Sequence, residues 1–165
     1  MAEETNNGAA ENTAPVLELQ RCYFTDVSFE MPHAPEIFVQ QMEEQPVVDI
    51  KFGVQFAQMS VPQVYDVRVR GTVTVKHKDS VLFLVEGVQA GVFVIANFPE
   101  EVLGELLNVH CPSIIYPYLR ANLADLITRS TLPPVHLPEV NFQALYQQQQ
   151  AQQQGAQTAV APQAS

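Results

Sequence analysis

The chain has 165 residues, 8 lysines and arginines against 18 aspartates and glutamates, a formal charge of −10 at pH 7, and a hydrophobic content of 47%. That length and apolar content suit one domain with its own core, and the acidic balance opposes a phosphate backbone, so a basic protein surface is a more natural partner than nucleic acid. The acidic start Met1–Gly8 lacks the apolar stretch of a signal peptide, no apolar run approaches the roughly 20 residues that span a bilayer, and two cysteines, Cys22 and Cys111, suit free thiols in a reducing compartment; together these point to the cytoplasm.

Residues 1–15 are small, polar and acidic and read as a disordered segment. From Leu17 to Phe29 the odd positions are mostly apolar and the even ones mostly polar, the period of two of a half-buried strand. The prolines Pro32 and Pro35 end it. A second strand over Val47–Met59 places Val48, Ile50, Phe52, Val54 and Phe56 on one face. A third sets Tyr65, Val67, Val69, Val73 and Val75 against Asp66, Arg68, Arg70, Thr72 and Thr74, and the polar stretch Lys76–Ser80 reads as a hairpin turn.

The fourth strand, Val81–Ala96, is apolar on both faces, and antiparallel strands normally keep one face wet. Cover on both faces is required, and association with further copies of the chain is the economical source. Gly87 and Gly91 interrupt this strand and mark a bulge or a close backbone approach.

Phe98–Glu101 opens a short helix with Val102, Leu103, Leu106 and Leu107. A long helix is predicted from Cys111 to about Thr131, with Leu119, Leu123, Leu126 and Ile127 on one stripe and Pro112 and Pro117 at its mouth, since proline is tolerated in the first turn. Leu132–Pro138 is forced to be extended by its prolines, and Asn141 caps a last helix with Phe142, Leu145 and Tyr146. The stretch after Tyr146 is Gln-rich and uncharged, partly helical and then disordered. The chain therefore divides into a segment 1–15, a domain 16–146 and a tail 147–165. Strands followed by helices indicate an α+β domain with an antiparallel sheet.

No catalytic motif stands out. Cys22, His33, His77, His110, Cys111 and His136 are scattered without metal-ligand spacing, and neither a phosphate loop nor a nucleophile motif occurs, so neither a metal nor another cofactor is expected. Asp26 and Glu30 lie four residues apart on one strand and suit an acidic docking face that Glu86 could join from another strand. The Val48/Ile50/Phe52 face suits a core or an apolar binding surface.

Four separated segments carry a resemblance. Gln20–Pro32, Phe83–Phe93, Cys111–Arg120 and Val140–Tyr146 resemble, in order and spacing, stretches of the SecB family of protein-export chaperones, over roughly Leu17 to Tyr146. The Gln-rich tail departs from the acidic tails of that family. The resemblance implies a four-stranded antiparallel sheet with helices packed on one face, assembled as a dimer of dimers. It implies a cytoplasmic holdase that uses no ATP, binds unfolded preproteins and hands them to the SecA motor. By position, Asp26, Glu30 and Glu86, with Leu84 beside them, would meet SecA. Val48, Ile50 and Phe52, with Tyr116, would line the groove for clients, and Val85, Gly87 and Gln89 would lie where subunits pair. The rivals are a SecB-like chaperone for another client such as an antitoxin, and a small-ligand-binding α+β protein.

Overall fold

The computed structural model describes residues 13–40 and 43–158; nearly all of segment 1–15, and the tail beyond Thr158, lie outside the described residues. Four strands, β1 (Val16–Glu30), β2 (Val47–Gln58), β3 (Val64–His77) and β4 (Ser80–Ala96), form one antiparallel sheet in the order β1-β4-β3-β2. β2, β3 and β4 are a meander whose β3–β4 hairpin turns at Lys78 with φ 54°, inside the predicted polar turn. β1 pairs with the far side of β4, so the connection from residue 31 to 46 carries the chain from one edge to the other. On the way, a 3-10 turn (Glu36–Phe38) buries Ile37.

Pairing register assigns every residue to a face, because opposed residues share one. Phe83, Val85, Gly87, Gln89, Gly91 and Phe93 of β4 face the helices, as do Val67, Val69, Gly71, Val73 and Val75 of β3. β2 follows its predicted alternation, with Val48, Ile50, Phe52, Val54 and Phe56 on the same side.

β1 does not hold a single phase. Its register shifts between Leu19 and Arg21 and again between Phe24 and Asp26, so Gln20 and Thr25 are extra residues. Each bulge inverts the side-chain alternation that follows. The helix side therefore receives Leu17, Leu19, Cys22, Phe24, Val27 and Phe29, and Tyr23, read from its odd position as part of that set, lies on the opposite face.

The predicted helix mouth at Cys111 is not a beginning. Helical backbone runs without a break from α1 (Glu100–Glu105) through a π-type turn (Leu106–His110) into α2 (Cys111–Arg129), and both prolines lie inside the run. A proline ring presses on the carbonyl four residues back and offers no N–H. In the π-type turn the Cys111 N–H bonds to Leu106 O, five residues back, and this widening accommodates Pro112. Pro117 leaves a second gap in the helical ladder.

α2 lies over β4 and β3. Its residues Cys111, Ile115, Leu119, Leu123 and Ile127, spaced by four, are fully buried, each apolar side chain of this kind contributing about 1.5–3 kcal/mol. The glycines of the sheet let the helix come close. A Cβ at Gly87 would sit 2.6 Å from the Phe24 ring and 2.9 Å from Leu123 Cδ2, and one at Gly91 would sit 2.9 Å from Ile115 Cγ2. This is the close approach expected at the two glycines of β4.

After α2 the chain turns at Thr131 (φ 70°) and runs without helix to residue 141, with Leu137 buried. Asn141 Oδ1 then accepts the Ala144 N–H at 3.0 Å, the expected cap of α3 (Phe142–Thr158). Because α3 continues through the Gln-rich tract, the division drawn at residue 146 falls inside a helix. The result is an α+β architecture with the helix layer on one face of the sheet.

Candidate functional site

β2 is an edge strand, and the helix layer does not fully cover it. Val48 is 43% exposed; Ile50 and Phe52 are half-buried and pack against the core. Beside Val48 runs an apolar groove of about 330 Å³. Its floor includes Ile37, Val75, Leu82 and Phe83, and Leu132, Pro133, Pro134 and Val135 form a wall. A cleft of about 50 Å³ lies farther along β2, between Phe52–Val54 and Asn108, Phe142, Leu145, Tyr146 and Gln149.

Tyr116 separates from the open part of this surface. It is 4% exposed, edge-on to Phe52 at 5.6 Å and to Phe142 at 5.5 Å between ring centroids. Its hydroxyl donates to Pro138 O at 2.6 Å, tying α2 to the extended segment. Burial pushes its phenol up to about 12, with Arg120 lowering and Glu139 raising it. Tyr116 is thus sealed between Phe52, Phe142 and the segment that follows α2.

The other face of the sheet has no helix over it among the described residues. At one end of β1 and β4, Asp26 pairs with Val88, Ser28 with Glu86 and Glu30 with Leu84. The structure therefore brings Asp26, Glu30, Leu84 and Glu86 to one end of one face. Asp26 and Glu30 are exposed. Glu86 is half-buried and held at both oxygens: Thr72 Oγ1 donates to Oε2 at 2.7 Å, and Arg70 forms an ion pair with Oε1.

Farther along the same face, Val88 and Ala90 are almost wholly buried, at 4% and 0% exposure, without a helix above them. Tyr23 of β1 donates to Asp66 Oδ1 of β3 at 3.1 Å, and Arg68 Nε donates to Asp66 Oδ2 at 2.6 Å. β4 lies between β1 and β3, so the Tyr23 side chain crosses over β4 beside Ala90, its register partner. Burial and then Asp66 raise the Tyr23 phenol above its ordinary value. The second apolar face of β4 is thus covered partly by side chains of its own neighbours, a source of cover that strand alternation does not reveal.

Val85, Gly87 and Gln89, expected where subunits pair, face α2. Val85 is 0% and Gln89 2% exposed, and Gly87 is buried against Phe24 and Leu123. Gln89 Oε1 accepts from Asn122 Nδ2 at 2.8 Å, and its Nε2 donates to Cys22 Sγ at 3.3 Å. The alternation of β4 places these residues with Phe93 on the packed side, under α2 of their own chain.

Sequence reasoning missed the Tyr23–Asp66–Arg68 tie, the Arg70 and Thr72 partners of Glu86, and the groove wall from Leu132 to Val135. The available signal was the polar face of β3, which groups Asp66, Arg68, Arg70 and Thr72; its alignment with Glu86 needed the register. Among the described residues no three His, Cys, Asp or Glu side chains gather as a metal site, and no helix is long and apolar enough to cross a membrane. Burial pushes the Cys111 thiol up to about 12, which keeps it protonated at neutral pH and unsuited to nucleophilic attack. What the site offers is apolar contact on one side of the sheet and charge on the other.

The chain is similar to known proteins. Residues 10–153 match the family described as preprotein translocase subunit SecB. The chain is 49% identical over 161 residues to the protein-export protein SecB of Acidovorax sp. (strain JS42), covering 98% of this chain and 99% of that one. It is 50% identical over 159 residues to the protein of the same name from Bordetella petrii, covering 94% and 89%. A solved SecB-like chaperone of Mycobacterium tuberculosis, in complex with a peptide from an antitoxin, shares the fold at a TM-score of 0.61 and 17% identity, over 75% of this chain and 90% of that one. The chain belongs to the SecB family of protein-export chaperones.

Proposed function

We propose that the protein is an ATP-independent holdase of the cytoplasm that keeps preproteins unfolded and delivers them to SecA. The observation that carries this reading is the apolar groove beside β2, bounded by Val48 and the Leu132–Val135 wall. An unfolded chain exposes apolar side chains in no fixed order, and a shallow apolar groove holds them without reading sequence. Several such contacts along one client add avidity when copies of the chain assemble. The working unit in this reading is a tetramer, a dimer of dimers.

Val48, Ile50 and Phe52 are the client-facing strand of the groove, and Tyr116 supports it from beneath by fixing the extended segment. Asp26, Glu30, Leu84 and Glu86 form the docking face for SecA, whose basic surface complements exposed carboxylates. Val85, Gly87 and Gln89 influence subunit pairing through the placement of α2. The acidic end of the open face favours export over service to another client such as an antitoxin, because client holding alone does not require those carboxylates.

Refolding of a denatured preprotein, followed without ATP, tests the reading. Wild type is expected to slow refolding, and the triple variant Val48→Ser, Ile50→Ser, Phe52→Ser to lose most of that retention while remaining folded. Full retention by a folded triple variant would remove β2 from the client site, and no retention by wild type would overturn the holdase reading.

A further inference from the structure

The four residues of the proposed docking face are not equivalent. The Asp26 and Glu30 side chains are exposed, and neither carboxylate has an ion pair or hydrogen bond among the described residues, whereas Glu86 already has a cation. Its Oε1 is paired with Arg70 and its Oε2 accepts from Thr72 Oγ1 at 2.7 Å. The Arg70 side chain is 47% and that of Glu86 30% exposed, so water reaches the pair and its net strength is small. The neighbouring cations on this face are engaged elsewhere: Arg68 with Asp66 at 2.6 Å and Lys51 with Asp49 at 3.9 Å.

We propose that Arg70 is a built-in competitor for the docking face, occupying the position on Glu86 that a basic partner side chain would take. The proposal rests on the reading of Asp26, Glu30 and Glu86 as the SecA contact. A lysine or arginine arriving at this face meets two open carboxylates on β1, and reaches Glu86 Oε1 by displacing Arg70. Thr72 keeps hold of the other oxygen, so the carboxylate stays at the surface when Arg70 leaves. Arg70 also adds a positive charge where the partner is positive, which lowers the long-range attraction. The Arg70–Glu86 pair therefore limits affinity and keeps the contact releasable, which suits a chaperone that must deliver its client and depart.

The test is a titration of SecA with the full-length protein at low and near-physiological salt. Arg70→Gln is expected to bind about fivefold more tightly at low salt, the size of one solvated charge interaction, with the gain shrinking as salt rises. Arg70→Lys keeps the charge and should stay within about twofold of wild type. Adding Glu86→Gln should cancel the gain. Arg70→Met, which retains the aliphatic stem beside Val88, gives the same reading if glutamine disturbs the sheet.

Unchanged or weaker SecA binding by folded Arg70→Gln and Arg70→Met overturns the proposal. Asp26→Asn with Glu30→Gln separates the two levels. If that pair leaves binding intact, the docking-face reading fails; if it weakens binding while the Arg70 variants do not tighten it, the role of Arg70 alone fails.

Discussion

The two faces of the sheet are covered by different materials. On one, α2 lays a stripe of aliphatic side chains over Gly71, Gly87 and Gly91 and excludes water by close packing. On the other, charged and aromatic side chains reach across strands and shield small residues beneath them, as the tie from Tyr23 to Asp66 does over β4. Long polar side chains cover apolar surface with their stems while their heads stay wet. A strand that is apolar on both faces therefore needs only one layer of helices when its neighbours supply the second cover. The difference also separates tasks: the packed face carries the fold and opens only at β2, and the tiled face stays accessible to a charged partner.

The contrast breaks most readily on the packed side. Leu119→Ala is expected to lower stability by about 2–5 kcal/mol, as for other large-to-small changes in a close-packed core, whereas Asp26→Asn on the tiled face should stay within about 0.5 kcal/mol of wild type. Denaturant midpoints at one fixed protein concentration check both; similar losses for the two would mean that the faces are not different in kind.

A second effect belongs to alkaline pH. The Cys111 thiol moves from 9.0 to about 12 and the Tyr116 phenol from 10.0 to about 12 in the folded chain, both chiefly through burial. Each group keeps its proton in the native state at a pH where the unfolded chain releases it, so the native state binds more protons and stability falls as pH rises. The loss begins near pH 9, is complete for these groups near pH 12, and is absent below pH 8. The thermal midpoint should fall across that window, with Cys111→Ala removing the earlier part of the fall and Tyr116→Phe the later part. A flat midpoint to pH 11 would contradict the burial of both groups.

The smallest of these effects sharpens the account of the tiled face. Tyr23→Phe keeps the ring over β4 and removes the hydrogen bond to Asp66, so it should cost about 0.5–1.5 kcal/mol. Amide exchange of Ala90 and Val92 should remain slow in this variant if the ring provides the cover. Fast exchange there would assign the cover to the hydrogen bond's fixing of the ring.

Much of the fold was legible because period and punctuation are local. The alternation of β2 and β3, the polar turn at Lys76–Ser80, the extended Leu132–Pro138 and the Asn141 cap each follow from residues within a few positions of one another. The phase of β1 was not legible, because a bulge is an extra residue relative to a partner strand and has no fixed local sign. The continuous helix through Pro112 and Pro117 was hidden for a related reason: a π-type turn removes the usual conflict at Pro112, and the interior position of Pro117 depends on packing. For the sites, strand alternation placed Val48, Ile50 and Phe52 on one face, but the groove beside Val48 needs a wall from more than eighty residues away in sequence. The carboxylates Asp26 and Glu30 were visible as a pair, whereas the occupied state of Glu86 was not.

By itself, the sequence determined the four strands, the helical stretches that follow them, the acidic character of the chain and, through four separated segments, the family to which it belongs. Hydrophobic period, proline and capping residues act within one turn or one strand, so they survive in one dimension. Tertiary structure alone decided which residues oppose one another: that Tyr23 crosses to Asp66, that Arg70 holds Glu86, that Gln89 faces Asn122 under α2, and that Tyr116 is sealed beneath Pro138. Those outcomes depend on strand register and on the close approach of helix to sheet, and both are settled by contacts between residues far apart in the chain.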